Sequence, residues 1–215
     1  MTENLAPPDN THMKILIVGA GIGGLSTYIA LHKHLLPLVP SCSIRLVESH
    51  AFLSGPTGKA SPLASTSTIV GAGIGLAPNG LRAIHSISPK AAQYITDRAF
   101  TDGAEKFVLR SSSGATLGVF AGGSKERYGG FGMAMVPRGV VFDALMQAFQ
   151  ELGRGEACIE WGRKVVAVKE FGAEGVEVEY ADGTKEVVDL VIGADGVRSQ
   201  VRDSLFEGKY PAEYE

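Results

Sequence analysis

Lys14 to Gly24 read KILIVGAGIGG, and this stretch decides the fold of the N-terminal part of the chain. Its first half, Ile15 to Val18, is an unbroken apolar run, which is typical of a strand buried on both faces of a parallel sheet. Glycines follow with the spacing G-x-G-x-x-G, at Gly19, Gly21 and Gly24. A helical pattern then runs from Leu25 to Leu36. The stretch therefore predicts a strand, a tight turn and a helix in direct succession.

The spacing gives each glycine a separate mechanical role. Gly19 permits the tight turn, Gly21 lets a pyrophosphate approach the backbone, and Gly24 lets the helix pack close to the strand. The first N–H groups of the helix then face the phosphates, where the helix dipole favours negative charge. The pattern alone is weak evidence, because the chain contains 28 glycines and glycine-rich turns are common.

A carboxylate at the end of the next strand strengthens this interpretation. The apolar run Ile44 to Val47 ends at Glu48, which lies 24 residues after Gly24. A carboxylate there can accept hydrogen bonds from a ribose hydroxyl, and it would repel a 2′-phosphate. The alternative is an ordinary strand–helix–strand unit with a solvated glutamate. We favour a dinucleotide site.

Composition excludes several other classes of protein. A chain of 215 residues suits one large domain, or one domain and a fragment. A net charge of −3 without any run of Lys or Arg argues against binding to nucleic acid. The sequence contains no apolar span of 18 residues, so we predict no membrane segment. Cys42 and Cys158 lack metal or redox spacing, and His32 and His34 point to different faces of a helix. We expect a cytoplasmic protein without a metal site, and a disordered leader over residues 1–12.

Turn residues divide the middle of the chain into short elements. We expect the glycine-rich segment Ile69–Leu76 to pass close to a flat ligand. We also expect that Pro78 prevents a helix from beginning at residue 78. The predicted elements are a loop over Ser49–Ser67, a helix over Asn79–Ile87 capped by Asn79 and ended before Pro89, a hairpin of Phe107–Arg110 with Ala115–Phe120, a strand over Gly130–Val136, a helix over Val140–Leu152 and a strand over Cys158–Trp161.

The C-terminal third predicts a three-stranded antiparallel meander followed by one more strand. Alternation of Val176, Val178 and Tyr180 with Glu177 and Glu179 indicates one packed face and one wet face. The predicted strands are Lys164–Phe171, Val176–Tyr180, Lys185–Val188 and a last buried strand at Leu190–Ile192, with a short helix over Val197–Leu205. The last strand leads into GADGVRS at Gly193–Ser199.

This order of elements, with its two glycine motifs, resembles the FAD-dependent aromatic hydroxylases. These are the class A flavin monooxygenases, which include salicylate hydroxylase and p-hydroxybenzoate hydroxylase, and the resemblance covers roughly Lys14 to Arg202. It implies an α/β, Rossmann-like FAD-binding fold, a parallel sheet with an inserted β-meander. It also implies FAD as the cofactor, NADH or NADPH as a transient co-substrate, and O2-dependent hydroxylation of an aromatic or related small molecule.

The resemblance assigns cofactor contacts to residues outside the first motif. Asp195 is similar to the aspartate of the family's D-G motif, Arg138 to its FAD-contacting arginine, and Gly71–Asn79 to the segment beside the flavin. For Asp195 a purely structural turn role, and for Arg138 a surface position at a helix start, remain open. No catalytic residue is assigned. The predicted cofactor-binding residues are Gly19, Ala20, Gly21, Ile22, Gly23, Gly24, Glu48, Gly73, Arg138 and Asp195.

The chain lacks the family's second FAD motif, G-D-A-A-H followed by proline. We therefore expect a chain truncated before that motif, with poor turnover by itself and self-association through an incomplete C-terminal sheet edge. The predicted domains are an FAD-binding domain over 13–207, with elements of the substrate domain at about 100–136, and a tail over 208–215. A non-catalytic chain that binds FAD or ADP, or another flavin-dependent dehydrogenase, remains the alternative.

Overall fold

The structure is a computed structural model that describes residues 12–51, 73–100, 106–121, 125–152, 159–170 and 172–210. Its strands are β1 Lys14–Val18, β2 Ser43–Glu48, β3 Gly73–Leu76, β4 Lys106–Arg110, β5 Thr116–Ala121, β6 Ala134–Pro137, β7 Ile159–Trp161, β8 Val165–Glu170, β9 Val176–Tyr180, β10 Lys185–Val188 and β11 Leu190–Gly193. Its α-helices are α1 Ile22–His34, α2 Pro78–Ile87, α3 Pro89–Thr96, α4 Arg138–Glu151 and α5 Gln200–Leu205. The chain forms two compact units, Met1–Pro62 with Arg154–Glu215, and Leu63–Gly153.

The first unit is built on a four-stranded parallel sheet with the order β11-β1-β2-β7. Strand β1 lies between β11 and β2, with Ile15 opposite both Leu190 and Ile44. Leu16 and Ile17 are fully buried, as the unbroken apolar run predicts for a strand covered on both faces. The Rossmann-like fold class is confirmed by this sheet and by the comparisons reported below.

The three-stranded meander β8-β9-β10 covers one face of this sheet. Its buried side chains Val178, Tyr180 and Val188 join Leu16 and Val47 of the sheet in one hydrophobic cluster. The polar side of β9 is ion-paired instead, because Lys185 reaches Glu177 and Glu179 at 3.1 and 3.2 Å. The predicted alternation of packed and wet residues is confirmed.

The last strand differs from its prediction in burial. We expected a buried strand at Leu190–Ile192, but β11 lies at the edge of the sheet, and Leu190 is 40% exposed. In the part of the chain that the structure describes, β1 is its hydrogen-bonding neighbour. The apolar run correctly indicated a strand, but an apolar run does not report how many neighbours the strand has. The helix predicted over Val197–Leu205 is also divided in the structure, into a 3-10 turn at Gly196–Arg198 and the helix α5.

The second unit holds α2, α3 and α4 with the antiparallel pairs β3–β6 and β4–β5. The predicted hairpin is confirmed as β4 and β5. The predicted start of α2 was wrong: its N-cap is Ala77, and Pro78 is its first residue in place of an Asn79 cap. Proline is favoured at that position, because its missing N–H has no partner in the first turn of a helix anyway.

One helix was missed, and two helices besides α2 begin earlier than predicted. Helix α3 begins at Pro89, and the Ser88 hydroxyl accepts a hydrogen bond from the Ala91 N–H at 3.2 Å. Helix α1 begins at Ile22 and α4 at Arg138, so the N-terminus of each lies beside a predicted site residue. Strand β6 is shorter than its prediction and covers Ala134–Pro137.

Several predictions concern residues outside the described ranges. They are the leader over 1–11, the loop from 52 onward, the start of Ile69–Leu76, Cys158 and the tail from 211 onward. Among the described helices, none is both long and apolar enough to cross a membrane. The domain boundaries given above stay a prediction.

Candidate nucleotide-binding site

Gly19 forms the turn at the end of β1 and joins three strands. Its φ of +99° lies in the left-handed region that favours glycine. Its N–H donates to the carbonyl of Val47 in β2 at 2.8 Å, and a Cβ at Gly19 would lie 2.5 Å from the carbonyl oxygen of Ala194, just after β11. A side chain is therefore excluded on two grounds, and the turn rests directly on the backbone that precedes Asp195.

Gly24 permits the close packing of α1 on this turn. A Cβ at Gly24 would lie 1.8 Å from the Gly19 carbonyl oxygen and 3.4 Å from a methyl group of Leu46. A rigid backbone atom at that distance cannot be displaced cheaply. The geometry therefore gives Gly24 the mechanical role that the spacing predicts.

Gly21 differs from the other two glycines. It is the N-cap of α1 with an extended φ of −75°, which any residue adopts, and a Cβ built on it would have no described atom within 4 Å. Neither backbone conformation nor packing against described residues demands a glycine here. What a side chain at Gly21 would fill is the open space in front of the helix.

The N-terminus of α1 borders this same space. It has no side-chain cap, and its first turn contains no acidic residue. The first N–H groups of a helix lack intrahelical acceptors, and the helix dipole places partial positive charge there. The arrangement is therefore suited to an anion approaching Gly21, Ile22 and Gly23.

Glu48 lies beside the turn at the end of β2. Its side chain is 14% exposed. Oε2 accepts a hydrogen bond from the Ala20 N–H at 2.8 Å. Oε1 accepts from the Ser49 hydroxyl at 3.0 Å and the His50 N–H at 3.0 Å, and it lies 2.8 Å from His50 Nδ1. Glu48 thus connects the end of β2 to the glycine-rich turn.

These hydrogen bonds keep Glu48 ionised. Burial alone would raise the pKa of the carboxyl, but hydrogen bonds from the His50 backbone and side chain, the Ala20 N–H and the Ser49 hydroxyl lower it below its ordinary value. A partly buried anion at this position would repel a second anion, such as a 2′-phosphate.

Asp195 stabilises the start of α5. Its Oδ1 accepts from the Ser199 hydroxyl at 2.5 Å, and its Oδ2 accepts from the backbone N–H groups of Gln200 at 2.7 Å and Val201 at 3.2 Å. Of the two interpretations of Asp195, this geometry supports the structural one, the fixing of the turn after β11. A direct cofactor contact stays a prediction.

Gly73 and Arg138 lie in the second unit. Gly73 is opposite Pro137 in the β3–β6 ladder, one residue before Arg138. Arg138 is the first residue of α4 and is exposed, and its side chain has no hydrogen bond or ion pair with any described residue. A cation at a helix N-terminus is disfavoured by the dipole, so the described structure offers no stabilising reason for this arginine.

The structure thus brings together the glycine motif, Glu48 and Asp195 in the first unit, and Gly73 with Arg138 in the second. Sequence reasoning missed His50, which contacts Glu48 through both its backbone and its ring. No motif contained His50. The signal that could have found it is a hydrogen-bonding side chain two residues after the predicted ribose-binding carboxylate.

Comparison with known proteins was made by sequence and by structure. No protein-family model matches the chain. Salicylate hydroxylase of Pseudomonas putida is 28% identical over 201 residues, which cover 92% of this chain and 39% of that protein. The 3-amino-4-hydroxybenzoate 2-monooxygenase of Streptomyces cremeus is 29% identical over 201 residues, which cover 90% of this chain and 42% of that protein.

Solved structures with the same fold include HpxO of Klebsiella pneumoniae in complex with FAD and uric acid. It has a TM-score of 0.62 and 24% identity, over 94% of this chain and 43% of HpxO. A tetrameric form of 2-methyl-3-hydroxypyridine-5-carboxylic acid oxygenase also has a TM-score of 0.62 and 24% identity, over 91% of this chain and 42% of that protein.

The chain matches the class A FAD-dependent monooxygenases. It spans about two fifths of the length of these relatives. At the level of fold, the parallel sheet and the similar solved structures agree with the FAD-binding part of class A monooxygenases. The predicted resemblance is therefore confirmed, whereas the individual cofactor contacts stay predictions.

Replacing Gly21 and Gly24 separately by alanine should separate ligand approach from packing. Gly24→Ala places a methyl group against the Gly19 carbonyl and should cost about 3 kcal/mol or more of the free energy of unfolding. Gly21→Ala should cost about 1 kcal/mol or less, the effect of losing a glycine N-cap. Urea unfolding followed by circular dichroism measures both. Equal losses of stability in the two variants would contradict the roles assigned to these glycines.

Acid should remove the contribution of Glu48 to stability. Because its pKa is lowered on folding, that contribution is present above the ordinary glutamate pKa of about 4.3 and is lost as the pH falls through the lower folded value. Near pH 7 we expect Glu48→Gln to be less stable than the wild type by about 1–3 kcal/mol. The difference should disappear in acid, whereas the exposed Glu170→Gln control should differ little at any pH. A difference that persists below pH 3 in unfolding titrations would contradict this assignment.

Proposed function

We propose that this chain is the FAD-binding part of a monooxygenase that uses NADH or NADPH and O2 to hydroxylate an aromatic or related small molecule. The observation that supports this most directly is the space around Gly21 in the described structure. No described atom lies within 4 Å of a Cβ built on Gly21 at the uncapped N-terminus of α1, and the family resemblance expects the cofactor pyrophosphate there. The named relatives supply the reaction class, since they are salicylate hydroxylase and an aminohydroxybenzoate monooxygenase.

The residues present fit the ADP half of FAD. The pyrophosphate would be held by the backbone N–H groups at the start of α1, next to Gly21. Among the described residues, Glu48 Oε2 has one donor, the Ala20 N–H, and a carboxylate oxygen accommodates about two. It therefore retains room for a ribose hydroxyl. The negative charge of Glu48 disfavours a 2′-phosphate, which favours the adenosine of FAD over that of NADPH in this pocket.

Residues outside this pocket have secondary roles in the proposal. Asp195 and Ser199 would hold the turn after β11 in place, so that the backbone under Gly19 stays fixed. Arg138, unpaired among the described residues, would offer its guanidinium to a phosphate or ribityl oxygen.

When bound, FAD would supply hydride acceptance from the nicotinamide and the activation of O2. The chain's own part in that chemistry is to bind and orient the adenosine end of the cofactor. None of the described residues is assigned a role as acid, base or nucleophile.

Two further predictions belong to this proposal. We propose a cytoplasmic location, because Cys42 and Cys158 lack metal or redox spacing and suit a reduced thiol pair. Self-association would use the edge strand β11, whose apolar side chain at Leu190 is exposed. Support for an oligomer comes from one relative of known structure, which has a tetrameric form.

Calorimetric titration with ADP and with FAD tests the proposal. The wild type should bind ADP, and Gly21→Val should bind it at least about tenfold more weakly, because the side chain occupies the space of the pyrophosphate. Gly80→Val on α2 is the control, since a Cβ at Gly80 would also meet no described atom closer than 3.8 Å, and this variant should bind like the wild type. If Gly21→Val and the wild type bind ADP with equal affinity, the placement of the pyrophosphate at Gly21 is wrong.

A second assay separates the monooxygenase from other flavin enzymes. If the proposed reaction is right, FAD-dependent oxidation of NADH or NADPH should be stimulated by an aromatic acid, with consumption of O2. Nicotinamide oxidation that needs no O2 would indicate a dehydrogenase. Binding of ADP without any nicotinamide oxidation would favour the non-catalytic alternative.

A further inference from the structure

His50 forms the closest side-chain contact of Glu48. Its Nδ1 lies 2.8 Å from Glu48 Oε1, and its backbone N–H donates to the same oxygen at 3.0 Å. With the Ser49 hydroxyl at 3.0 Å, three groups surround Oε1. Oε2 accepts from the Ala20 N–H and from no other group in the described ranges. The two oxygens of one carboxylate therefore have different surroundings.

The backbone on which this arrangement depends is held in place from β7. The Gly162 N–H donates to the His50 carbonyl at 3.0 Å, and the Arg163 N–H donates to the Glu48 carbonyl at 2.9 Å. Both ends of the Glu48–His50 segment are thus anchored to the same neighbouring strand end. The backbone that carries the His50 ring is therefore fixed, although the His50 side chain is 64% exposed.

We propose that His50 is a positioning residue of the nucleotide site, which holds Oε1 of Glu48 through Nδ1–H so that Oε2 faces the glycine turn and a ribose hydroxyl. The proposal rests on the function proposed above and names a residue that the family resemblance does not. Without the imidazole, the carboxylate can rotate, and the ribose must then fix it at a cost in affinity. His50 need not touch the nucleotide to have this effect.

The proposal requires a proton on Nδ1 of His50. A neutral imidazole carries its proton on either nitrogen, and Glu48 Oε1 at 2.8 Å favours the tautomer that carries it on Nδ1. Of the charged groups at the adjoining end of β7, Arg163 is engaged by Asp182 at 2.6 Å, and Glu160 is engaged by Arg45 at 2.6 Å. Glu48 is the ionic partner that the described structure gives His50.

The experiment uses ADP-ribose as the probe, because each of its two phosphates carries one ester and one anhydride bond, as the phosphates of FAD do. The variants are His50→Asn, whose amide can donate from near the position of Nδ1 but has no charge, and His50→Leu, which has no donor. His34→Asn is the control, since His34 is exposed in the last turn of α1, roughly 18 Å along the helix from Ile22. Circular dichroism confirms that each variant is folded.

The two His50 variants test the hydrogen bond from Nδ1 separately from the loss of the ring. We expect His34→Asn to bind ADP-ribose like the wild type, and His50→Asn to bind within about twofold of it, because the amide replaces the donor. His50→Leu should bind about three- to tenfold more weakly. Equal weakening in His50→Asn and His50→Leu, or unchanged affinity in His50→Leu, would overturn the proposal.

A measurement without nucleotide keeps this proposal separate from the proposed function. In the free protein, NMR titration of the Glu48 carboxyl carbon should show a higher pKa in His50→Leu than in the wild type, because one hydrogen bond that lowers it is gone. The Ala20 amide resonance should shift in the same variant. If neither changes, the positioning role is wrong even where ADP-ribose binds. If both change but no variant binds ADP-ribose, the proposed function fails.

Discussion

The close approach of α1 to the turn after β1 is the contact on which the rest of the site depends. The Gly19 carbonyl lies where a Cβ of Gly24 would be, so no methyl group can be accommodated between turn and helix. The turn itself rests on the backbone after β11 and is hydrogen-bonded to β2. Three parallel strands therefore end against one helix N-terminus. Ligands of open parallel sheets bind at such carboxyl ends of strands.

This packing explains why the glycine turn and the carboxylate of β2 act as one site. The turn at Gly19 packs against the backbone of Ala194, and the Ala20 N–H in this turn donates to Glu48. Glu48 in turn is hydrogen-bonded to its own strand end by Ser49 and His50. The open space at Gly21 is thus bordered by rigid groups. Such preorganisation reduces the ordering that a nucleotide must impose when it binds.

Much of the first unit could be predicted from the sequence, because its signals are local. The apolar run before Gly19 indicated a buried strand, and alternation from Val176 to Tyr180 indicated a two-faced one. Helix starts were less predictable. Proline at 78 and 89 was interpreted as a stop, although at both positions it opens a helix, and the Ser88 cap before α3 was overlooked.

The remaining errors and omissions concern contacts between distant parts of the chain. The edge position of β11 depends on which strands pair, and nothing in the run Leu190–Ile192 states this. Asp195 illustrates the same limit, since its bonds to Ser199, Gln200 and Val201 support the structural one of two interpretations that the motif left open. The pairing of His50 with Glu48 was also not predicted, because it requires a side-chain conformation as well as proximity in sequence.

A crystal structure of the chain with ADP is the most direct test of the central claim, that the open space before α1 receives a pyrophosphate. The account predicts phosphate oxygens within about 3 Å of the backbone N–H groups at the start of α1, and a ribose hydroxyl on Glu48 Oε2. Adenosine bound elsewhere, with the space at Gly21 filled only by water, would contradict it.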